Sequence, residues 1–542
     1  MLGVAIRAES TAHGVSAIND KVSVMDFFLT NIVPELQEIN QSVRPLVKAT
    51  AIGFVSTFRN QFTKDHLNAL MPLLIGLLSF ESVVIHSYAS SAIEKILTAK
   101  TEGADGKKSS KFAKSDIAPF LEPLFTGLFT IIDNATRNEN EYAMKCVMRC
   151  LSIAREDIVP VTQTVIEKLT SALGRVAKNP RNPQYNHYLF ESIAVLIRSV
   201  CSKDTNYTDA FESLLFPPFQ TVLQMDVVEF VPYVFQVFAQ LLEYRSGLGA
   251  AYTALFQPLL TPALWERKGN IPALTRLMQA YLKKGGKELA SAGHLSGILG
   301  VFQKLLASRS SEVNAFDLLS SITLHVPTEV IQSFLQTLFQ ILLTRLQQGK
   351  TPRYTRLVTQ YFALFIGKFG PQIFMKQLNN VQQGLASMLV VQVWLPRLQN
   401  DLPQRLEAKT QLVGLTKLIC ETPDLLKDSH GQQIWCQALA SVLKLVSSPE
   451  CSFSSKRTDE DDFEVQVGYD ATYSRLHFAA RALTDPFPEV DNPPMYLAKS
   501  LHSLCSSQPG KIPPLINQGL QSDPKLSASL MNMVQKFGLN LV

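Results

Sequence analysis

The sequence has few of the groups from which catalytic and metal sites are built. None of its seven cysteines forms a Cys-x-x-Cys pair, and none of its nine histidines belongs to a His-Glu-x-x-His arrangement. No Gly-x-Ser-x-Gly elbow occurs either. Zinc sites need clustered nitrogen or sulfur ligands, and hydrolases of the elbow type need that turn. We therefore expect no enzyme activity, no cofactor and no metal, and we interpret the cysteines as buried thiols in a reducing compartment.

The chain also lacks a strong excess of charge and a long apolar run. Its 51 basic and 46 acidic residues leave a net charge of +5, which is small for 542 residues. Nucleic-acid binding requires a concentrated basic face, and no stretch approaches the roughly 18 apolar residues of a membrane-spanning helix. We expect a soluble intracellular monomer that binds no nucleic acid and inserts into no membrane.

Two lysine clusters come nearest to a basic face. They comprise Lys107, Lys108, Lys111 and Lys114 in one case, and Lys283, Lys284 and Lys287 in the other. Neither is interleaved with aromatic residues, as a surface that stacks nucleic-acid bases would be. Two interpretations remain open: charge on solvated loops, or surfaces for an acidic partner.

The nearest approach to a nucleotide-binding loop is Gly349-Lys350-Thr351. A phosphate-binding loop also needs a glycine at position 344, after a strand, so that backbone amides can surround the phosphates. This position holds Thr344, within a helical pattern. We predict a turn between two helices here.

One amphipathic helical pattern after another fills the chain. Residues 143–154, 227–242, 271–282 and 298–306 each carry apolar side chains at i, i+3, i+4 and i+7, which is the spacing of a helix with one buried face. About two dozen such segments follow one another, so a helix pair recurs about every 40–47 residues, the period of HEAT repeats. We predict an all-α HEAT-repeat superhelix, a solenoid in which each pair stacks on its neighbours.

Threonine–proline pairs mark several helix starts. Thr261, Thr351 and Thr422 each precede a proline, which predicts a capping hydroxyl followed by proline in the first helical turn. Pro232 and Pro396 fall inside helical patterns and indicate kinks or first-turn positions.

Three stretches interrupt the helical pattern. Residues 101–116 and 179–186 are rich in polar and turn-forming residues, and we expect loops. Residues 447–470 contain the acidic run Asp459–Asp462, and the alternation within residues 463–469 is typical of a strand. We predict an extended insertion near 447–470, with helices resuming near Ala471.

The three tryptophans, Trp265, Trp394 and Trp435, lie in helical patterns, so we expect each to serve packing. Trp265 also precedes a polar string that ends at Asn270, before a new helix. Solenoids commonly contact partners at inter-helix turns. This turn is therefore a candidate contact surface.

A family resemblance runs through eight short segments in collinear order. They are FRNQ (Phe58–Gln61), NEYAMKCVMR (Asn140–Arg149), NHYLFESI (Asn186–Ile193), EFVPYVFQV (Glu229–Val237), LWERKGNIPALTRLMQAYL (Leu264–Leu282), GVFQKLLAS (Gly300–Ser308), LAKSLHSLC (Leu497–Cys505) and PGKIP (Pro509–Pro513). Together they resemble the C-terminal part of the CAS-type nuclear exportins, in the importin-beta (karyopherin) superfamily. The resemblance weakens at residues 100–115, 371–410 and 447–462.

This resemblance implies a nuclear export receptor that binds importin alpha together with GTP-bound Ran and carries it from nucleus to cytoplasm. It places the main Ran-binding module in N-terminal repeats, which we expect to be absent here, so that Ran-GTP would bind weakly. Apolar helices begin almost at once, without a polar capping repeat, which favours the later part of a longer solenoid. Residues 1–100 would then end the central repeats, and residues 101–542 would form the C-terminal region.

The candidate partner-binding residues lie in two of these segments. They are Arg59 and Asn60 in the first, and Glu266, Arg267 and Asn270 in the polar turn after Trp265. The alternative function is a HEAT-repeat scaffold that organises another protein complex. Dependence of binding on the nucleotide state of Ran distinguishes the two.

Overall fold

The computed structural model describes residues 15, 17–38, 44–102, 108–134, 138–449, 451, 453, 475–480 and 484–541. Most of these residues lie in helices or in the turns that join them, which confirms the all-α prediction. The chain divides into two compact units. The first contains residues 1–246 and 465–480, and the second contains residues 247–464 and 481–542.

The first unit is built from helices joined by short turns. Its α-helices, in the part of the chain that the structure describes, are α1 (Val24–Phe27), α2 (Val33–Gln37), α3 (Pro45–Phe58), α4 (Lys64–Leu77), α5 (Val83–Leu97), α6 (Lys114–Ile117), α7 (Leu121–Asp133), α8 (Glu141–Ala154), α9 (Thr162–Val176), α10 (Pro183–Cys201), α11 (Tyr207–Gln224) and α12 (Val231–Tyr244). A π-helical turn spans Phe28–Ile32, and 3-10 turns span Ala118–Phe120 and Arg155–Val161.

Alternate helices of this unit stack in two rows. Helices α3, α5, α8, α10 and α12 each pack against the next in that order, and α4, α7, α9 and α11 form the second row in the same way. Each helix of the second row also packs against its successor in the chain. Every pair thus buries its apolar face against its neighbours, as predicted for stacked repeats.

One helical segment, Lys114–Asp133, is long and apolar enough to cross a membrane by length and composition alone. Its longer part, α7, packs against α4, α8 and α9, and Leu124 and Leu128 are fully buried there. Packing on several sides accounts for an apolar composition in a core helix.

The second unit continues the same construction. Its α-helices, among the described residues, are α13 (Ala250–Leu259), α14 (Ile271–Ser291), α15 (Leu295–Leu306), α16 (Glu312–His325), α17 (Thr328–Ile331), α18 (Leu335–Gln348), α19 (Pro352–Phe369), α20 (Pro371–Val381), α21 (Leu385–Leu389), α22 (Leu395–Asn400), α23 (Arg405–Cys420), α24 (Ser429–Ser447), α25 (Pro493–Ser507), α26 (Ile512–Leu520) and α27 (Pro524–Lys536). A π-helical turn spans Val390–Trp394, and 3-10 turns span Pro262–Trp265, Gln332–Phe334 and Pro423–Leu426. Helices α14, α16, α19, α23 and α25 pack one against the next and form one row of this unit.

The predicted loop at residues 101–116 contains a small hairpin. Strand β1 (Lys100–Glu102) pairs antiparallel with β2 (Lys108–Ser110). The loop prediction is wrong for these residues because polarity alone does not say where the backbone finds its hydrogen bonds. Here the two polar segments pair with each other.

The threonine–proline prediction is confirmed at one position and wrong at two. The Thr351 hydroxyl accepts a hydrogen bond of 3.1 Å from the Tyr354 backbone N–H at the start of α19. Thr261 and Thr422 make no such cap, because each is followed by a four-residue 3-10 turn rather than by an α-helix. Proline supports the first turn of either helix type, so the pair does not determine which one follows.

Two further local predictions agree with the structure. Pro232 and Pro396 lie in the first turns of α12 and α22. Residues 349–351 form the short connection between α18 and α19, as expected for a turn rather than a phosphate-binding loop.

The insertion prediction is tested only at its edges. Helix α24 ends at Ser447, whereas the strand-like residues 463–469 and the acidic run Asp459–Asp462 lie outside the described residues. Ala471, where helices were predicted to resume, also lies outside the described residues; among those that follow it, residues 475–480 and 484–492 form turns and irregular backbone, and α25 begins at Pro493. The backbone N–H groups of residues 476–478 bond to side chains instead of to a helical turn.

The tryptophan side chains and five of the seven cysteines are packed as predicted. All three indole N–H groups donate a hydrogen bond inside the protein: Trp265 to the Leu259 carbonyl at 2.8 Å, Trp394 to Gln411 Oε1 at 2.7 Å, and Trp435 to the Ile419 carbonyl at 2.8 Å. All seven cysteines are free thiols, five of them buried and two half-buried.

Candidate partner-binding surfaces

The polar turn after Trp265 is exposed at its charged end. The Trp265 indole is 2% exposed and packs inside the protein, where it anchors the turn. The side chain of Glu266 is 68% exposed, and Arg267 is also exposed. Lys304 of α15 forms an ion pair with Glu266 at 3.1 Å and donates to the Pro262 carbonyl at 2.8 Å. The turn therefore exposes the charged side chains of Glu266 and Arg267, and Lys304 holds its backbone in place.

Two of the five predicted contact residues are buried. Asn270 is 3% exposed, and its Nδ2 has no hydrogen-bond partner among the described residues. Arg59 is 5% exposed and donates from one terminal nitrogen to the Ser56 carbonyl at 2.6 Å; burial lowers the pKa of its guanidinium, against the attraction of Glu94. Neither side chain offers appreciable surface to a partner in this structure.

The structure separates the predicted residues into two groups. Arg59 and Asn60 belong to the first unit, and the other three belong to the second. Asn60 is half-buried, and its backbone carbonyl accepts a hydrogen bond of 3.0 Å from Lys111. Partner binding through these five residues remains a prediction, and Glu266 and Arg267 have the most accessible side chains among them.

Sequence reasoning missed a charged groove on the first unit. A cavity of about 210 Å³ opens across α5, α8 and α10, and its lining includes Glu94, Lys145 and Tyr188. Arg149 donates to Glu94 Oε1 from Nε at 3.2 Å and from a terminal nitrogen at 3.0 Å. The Lys145 ammonium lies 5.6 Å from the centre of the Tyr188 ring, within range of a cation–π interaction. Charges of both signs line a groove that suits a polar protein surface.

A second groove lies on the other unit. A cavity of about 580 Å³ opens between α22, α24, α26 and α27. Its lining contains five glutamines, namely Gln399, Gln432, Gln433, Gln437 and Gln518. Glutamine amides both donate and accept hydrogen bonds, and Lys444 and Asp523 add one charge of each sign to the lining, so this groove suits a polar contact.

A buried polar arrangement in the first unit holds a distant segment of the same chain. Residues 475–480, here called the strap, lie against α10 and α12. The Glu191 carboxylate accepts hydrogen bonds from the backbone N–H groups of His477 and, at 3.0 Å, Phe478. Gln236 Oε1 accepts from the Leu476 backbone N–H at 2.8 Å, and Gln240 Nε2 donates to the Phe478 carbonyl at 3.4 Å. Three buried side chains thus bind the backbone of three consecutive residues.

Burial shifts the pKa of Glu191, which holds the strap, and of its neighbour His187. It raises the pKa of Glu191 to about 7, against the opposing effect of the two backbone N–H groups. It lowers the pKa of the neighbouring His187 to about 4. His187 Nδ1 lies 3.0 Å from the Tyr233 hydroxyl and its Nε2 lies 3.8 Å from Glu191 Oε1. His187 is thus a packed side chain, buried at 1% exposure.

The sequence contained a signal for the three side chains that hold the strap. Glu191 is the only ionisable residue in the stretch 189–197, LFESIAVLI, and Gln236 and Gln240 lie one helical turn apart in the apolar α12. Polar groups at buried helix positions need partners. The sequence could not identify that partner, because the strap lies more than 230 residues away from Gln236 and Gln240 in the chain.

Two family models and several curated relatives match this chain. The family model described as CAS/CSE protein, C-terminus, matches residues 94–529, and the model described as Cse1 matches residues 1–93. Exportin-2 of Bos taurus is 37% identical over 524 residues, which make up 96% of this chain and 53% of that protein. The chain therefore spans about half the length of the curated relatives it matches.

Solved structures show the same fold. The exportin Cse1 in its cargo-free, cytoplasmic state matches with a TM-score of 0.80 at 27% identity, over 98% of this chain and 53% of that one. A crystal structure of importin beta in an ammonium sulfate condition matches with a TM-score of 0.60 at 10% identity, over 99% of this chain and 62% of that one. At that identity the second likeness concerns the fold alone.

Proposed function

The chain belongs to the CAS/CSE protein family, and from this premise we propose that it acts as part of a nuclear export receptor of the karyopherin type. The proposed cargo is importin alpha, bound together with Ran-GTP and carried from nucleus to cytoplasm. In this proposal the protein is a monomer, shuttles between nucleus and cytoplasm, and catalyses no reaction.

One observation carries the proposal. The likeness to the exportin Cse1 extends over 98% of the chain at a TM-score of 0.80, so it involves the order and stacking of the repeats rather than a single motif. Stacked repeats bind partners over extended surfaces. We further propose that residues 1–100 end the central repeats and residues 101–542 form the C-terminal region.

Two surfaces suit the cargo by their chemistry. The turn formed by Glu266 and Arg267 supplies exposed charge on a backbone held by Trp265. The groove across α5, α8 and α10 supplies Lys145 and Glu94 beside an aromatic face. Charged and aromatic groups of this kind are the usual anchors of protein interfaces.

The proposed mechanism needs no covalent step. Small shifts between stacked helix pairs add along an array, so ligands that favour the same arrangement bind cooperatively. We expect Ran-GTP to raise the affinity of the 542-residue polypeptide for importin alpha only slightly, below the roughly 5–150-fold typical of allosteric coupling. The family resemblance places the main Ran-binding module in other repeats.

The test is a binding titration of this polypeptide with importin alpha, with and without excess GTP-locked Ran. We expect importin alpha to bind, and the paired change Glu266→Ala and Arg267→Ala to weaken binding. The matched control is Asp424→Ala with Lys427→Ala, an exposed ion pair at another inter-helix turn of the same unit. Absence of importin-alpha binding would contradict the proposal. Equal losses from both pairs would remove the turn at Trp265 from it.

The alternative function is a HEAT-repeat scaffold that organises another protein complex. The all-helical repeats alone would serve either function. Binding of importin alpha by this polypeptide separates them, because a scaffold for another complex is not expected to bind importin alpha. A response to the nucleotide on Ran separates them further in a chain that also carries the Ran-binding repeats.

A further inference from the structure

The structure places the two lysine clusters of the sequence in different settings. Lys283, Lys284 and Lys287 lie within α14, so the interpretation as charge on a solvated loop is wrong for them. In the other cluster, Lys111 donates hydrogen bonds to two backbone carbonyls and Lys114 forms two ion pairs. Binding of an acidic partner by either cluster remains a prediction.

A groove of the second unit is lined by one face of α24. Four of its lining residues recur on that helix at intervals of three or four positions, namely Gln433, Gln437, Ala440 and Lys444. Residues with this spacing lie above one another on one side of a helix. Gln399 of α22 and Gln518 of α26 line the same cavity. We call this cavity, which has a volume of about 580 Å³, the glutamine groove.

Several polar groups of the glutamine groove are not used within the protein. Five lining side chains are exposed and make no hydrogen bond or ion pair with any residue that the structure describes: Gln399, Gln433, Gln437, Lys444 and Gln518. The neighbouring Gln432 differs, since its Nε2 donates a hydrogen bond of 3.2 Å to the Leu426 carbonyl. The five exposed side chains can therefore bind another molecule without first breaking a contact to a described residue.

Close packing holds the walls of the glutamine groove in place. A Cβ atom on Gly519 of α26 would lie only 2.9 Å from the Cβ atom of Cys436 on α24, so the two helices touch there. The Ser447 hydroxyl of α24 and the Ser529 hydroxyl of α27 form a hydrogen bond of 2.6 Å. A groove that exists before its ligand arrives loses less entropy on binding.

The first unit shows what a glutamine pair on a helix can bind. Gln236 and Gln240 lie one helical turn apart on α12 and bind the Leu476 backbone N–H and the Phe478 carbonyl, which are two residues apart. The exposed glutamine pair of α24 has the same spacing. Four residues of an α-helix rise about 6 Å, and two residues of an extended chain span about 6.4–6.8 Å. Such a pair therefore matches backbone groups two positions apart in an extended peptide.

We propose that the glutamine groove binds an extended peptide segment of a partner protein through its backbone. Gln433 and Gln437 hold the amide groups of the peptide, and Lys444 meets one of its acidic side chains. Lys444 lies seven residues beyond Gln437, about 10 Å along the helix, which is the length of about three extended residues. Hydrogen bonds to the main chain supply the affinity in such recognition. This site goes beyond the proposed export of importin alpha and does not depend on it.

The chemistry of the lining favours a peptide over a small apolar ligand. Pockets for small molecules are lined mainly by hydrophobic and aromatic side chains, whereas amide, hydroxyl and charged groups dominate this lining. Of its two charged residues, Asp523 already accepts a hydrogen bond of 3.3 Å from the Leu526 backbone N–H at the start of α27. Lys444 is thus the charged group that remains for a partner, and it favours a peptide with an acidic residue.

The test measures the fluorescence anisotropy of a labelled peptide of serine and threonine residues with one aspartate near its C-terminal end, titrated with the 542-residue protein. A second peptide is methylated on its backbone nitrogens and cannot donate hydrogen bonds from them. A third peptide carries asparagine in place of aspartate. We expect the first peptide to bind and the methylated peptide to show no binding. The asparagine peptide should bind about threefold more weakly than the first, since an exposed charge contact is weak.

Two variants assign these contacts to residues. The paired change Gln433→Met and Gln437→Met is expected to lower the affinity for the first peptide about tenfold, because methionine lacks the strong donors and acceptor of glutamine. Lys444→Gln is expected to lower it about threefold and to leave the affinity for the asparagine peptide unchanged. This difference between the two peptides identifies Lys444 as the group that meets the acidic side chain.

The paired change Gln336→Met and Gln340→Met is the matched control. These two glutamines are also exposed and one helical turn apart, but they lie on α18, outside the groove. Circular dichroism checks that each variant remains helical. Absence of binding by the first peptide, equal binding of the methylated peptide, or equal losses from the two glutamine pairs would overturn the proposal.

Two other occupants of the groove are recognised by further measurements. If the first peptide bound only after Asp459–Asp462 were changed to the neutral amides, the chain's own acidic run would occupy the groove. If the unmodified protein sedimented as a dimer and the Gln433→Met, Gln437→Met variant as a monomer, a second copy of the chain would occupy it. Either result would overturn the proposal of a separate partner.

Discussion

Glu191 makes the stability of the first unit depend on pH. Burial raises its pKa from the ordinary 4.5 to about 7, so the folded state holds the proton more tightly than the unfolded state. Its contribution to stability is complete below about pH 4.5 and is lost as pH rises through about 7, a change of up to about 3 kcal/mol. We expect the melting temperature of the unmodified protein, relative to Glu191→Gln, to fall across this window.

The contribution of His187 to stability changes with pH in the opposite direction, over an overlapping pH range. Its pKa is lowered by burial from 6.5 to about 4, so its contribution is complete above about pH 6.5 and is lost as pH falls through about 4. The comparison with Glu191→Gln isolates the carboxylate because His187 is present in both proteins. Glu329→Gln, at an exposed position of the second unit, is the control. A pH-independent difference between the unmodified protein and Glu191→Gln would contradict the linkage.

Trp265 is expected to stabilise the turn beneath the candidate contact residues. Trp265→Ala removes a buried indole and its hydrogen bond to the Leu259 carbonyl, at a local cost of roughly 3–5 kcal/mol. Hydrogen exchange should therefore speed up near residues 260–285 before it changes in distant repeats. The exposed Glu266→Ala is the control and should leave exchange there nearly unchanged. Normal exchange in Trp265→Ala, together with lost partner binding, would identify Trp265 as a contact residue.

At the scale of helices, the contact between α19 and α23 depends on one small residue. A Cβ atom at Gly414 would lie 2.6 Å from both the Cα and the carbonyl oxygen of Ala363. Gly414→Ala should force these backbones apart and lower the free energy of unfolding by about 1–3 kcal/mol. Urea denaturation followed by circular dichroism measures this change.

Gly174→Ala is the matched control for that prediction. Gly174 lies within α9, and a Cβ atom there would meet nothing within 4 Å. Alanine should stabilise this helix by roughly 0.5–1 kcal/mol relative to glycine. The two glycine-to-alanine changes should thus have opposite signs. Stabilisation by Gly414→Ala would mean that the two helices are not in close contact.

At the scale of the whole molecule, we expect damage to remain local. Each repeat contacts mainly its neighbours, so a one-dimensional array loses stability where it is altered. Gly414→Ala should increase hydrogen exchange in α19 and α23, whereas Glu191→Ala should increase it in α10, α12 and the strap. Because these sites lie in different compact units, the effects of the double variant should add within about 0.5 kcal/mol. Strong non-additivity would show that the chain unfolds as one cooperative body.

Agreement between sequence and structure is best where the cause is local. The apolar stripe at residues 143–154 predicts α8, and Thr351 predicts a capped start of α19, because both depend on side chains within one or two helical turns. The hairpin at residues 100–110 was missed for the converse reason. Its strands are identified by pairing with each other, and their polar composition is equally typical of a loop.

The candidate contact residues show a similar limit. Glu266 and Asn270 come from one polar string, yet one is exposed and the other is buried. The direction of each side chain depends on how the turn packs against α15 and α14. Composition identified the turn as polar, but it did not distinguish its surface from its interior.

Periodicity alone determined that this chain folds into stacked amphipathic helices, because burying one stripe per helix requires a neighbour of the same kind. Family resemblance also came from the sequence, since collinear segments preserve the order of those helices. Only the tertiary structure decided that Glu191, Gln236 and Gln240 hold the strap. These side chains are distant from the strap in the chain, and a hydrogen bond between such residues depends on where the backbone returns. That return depends on the packing of every helix in between, which no local pattern encodes.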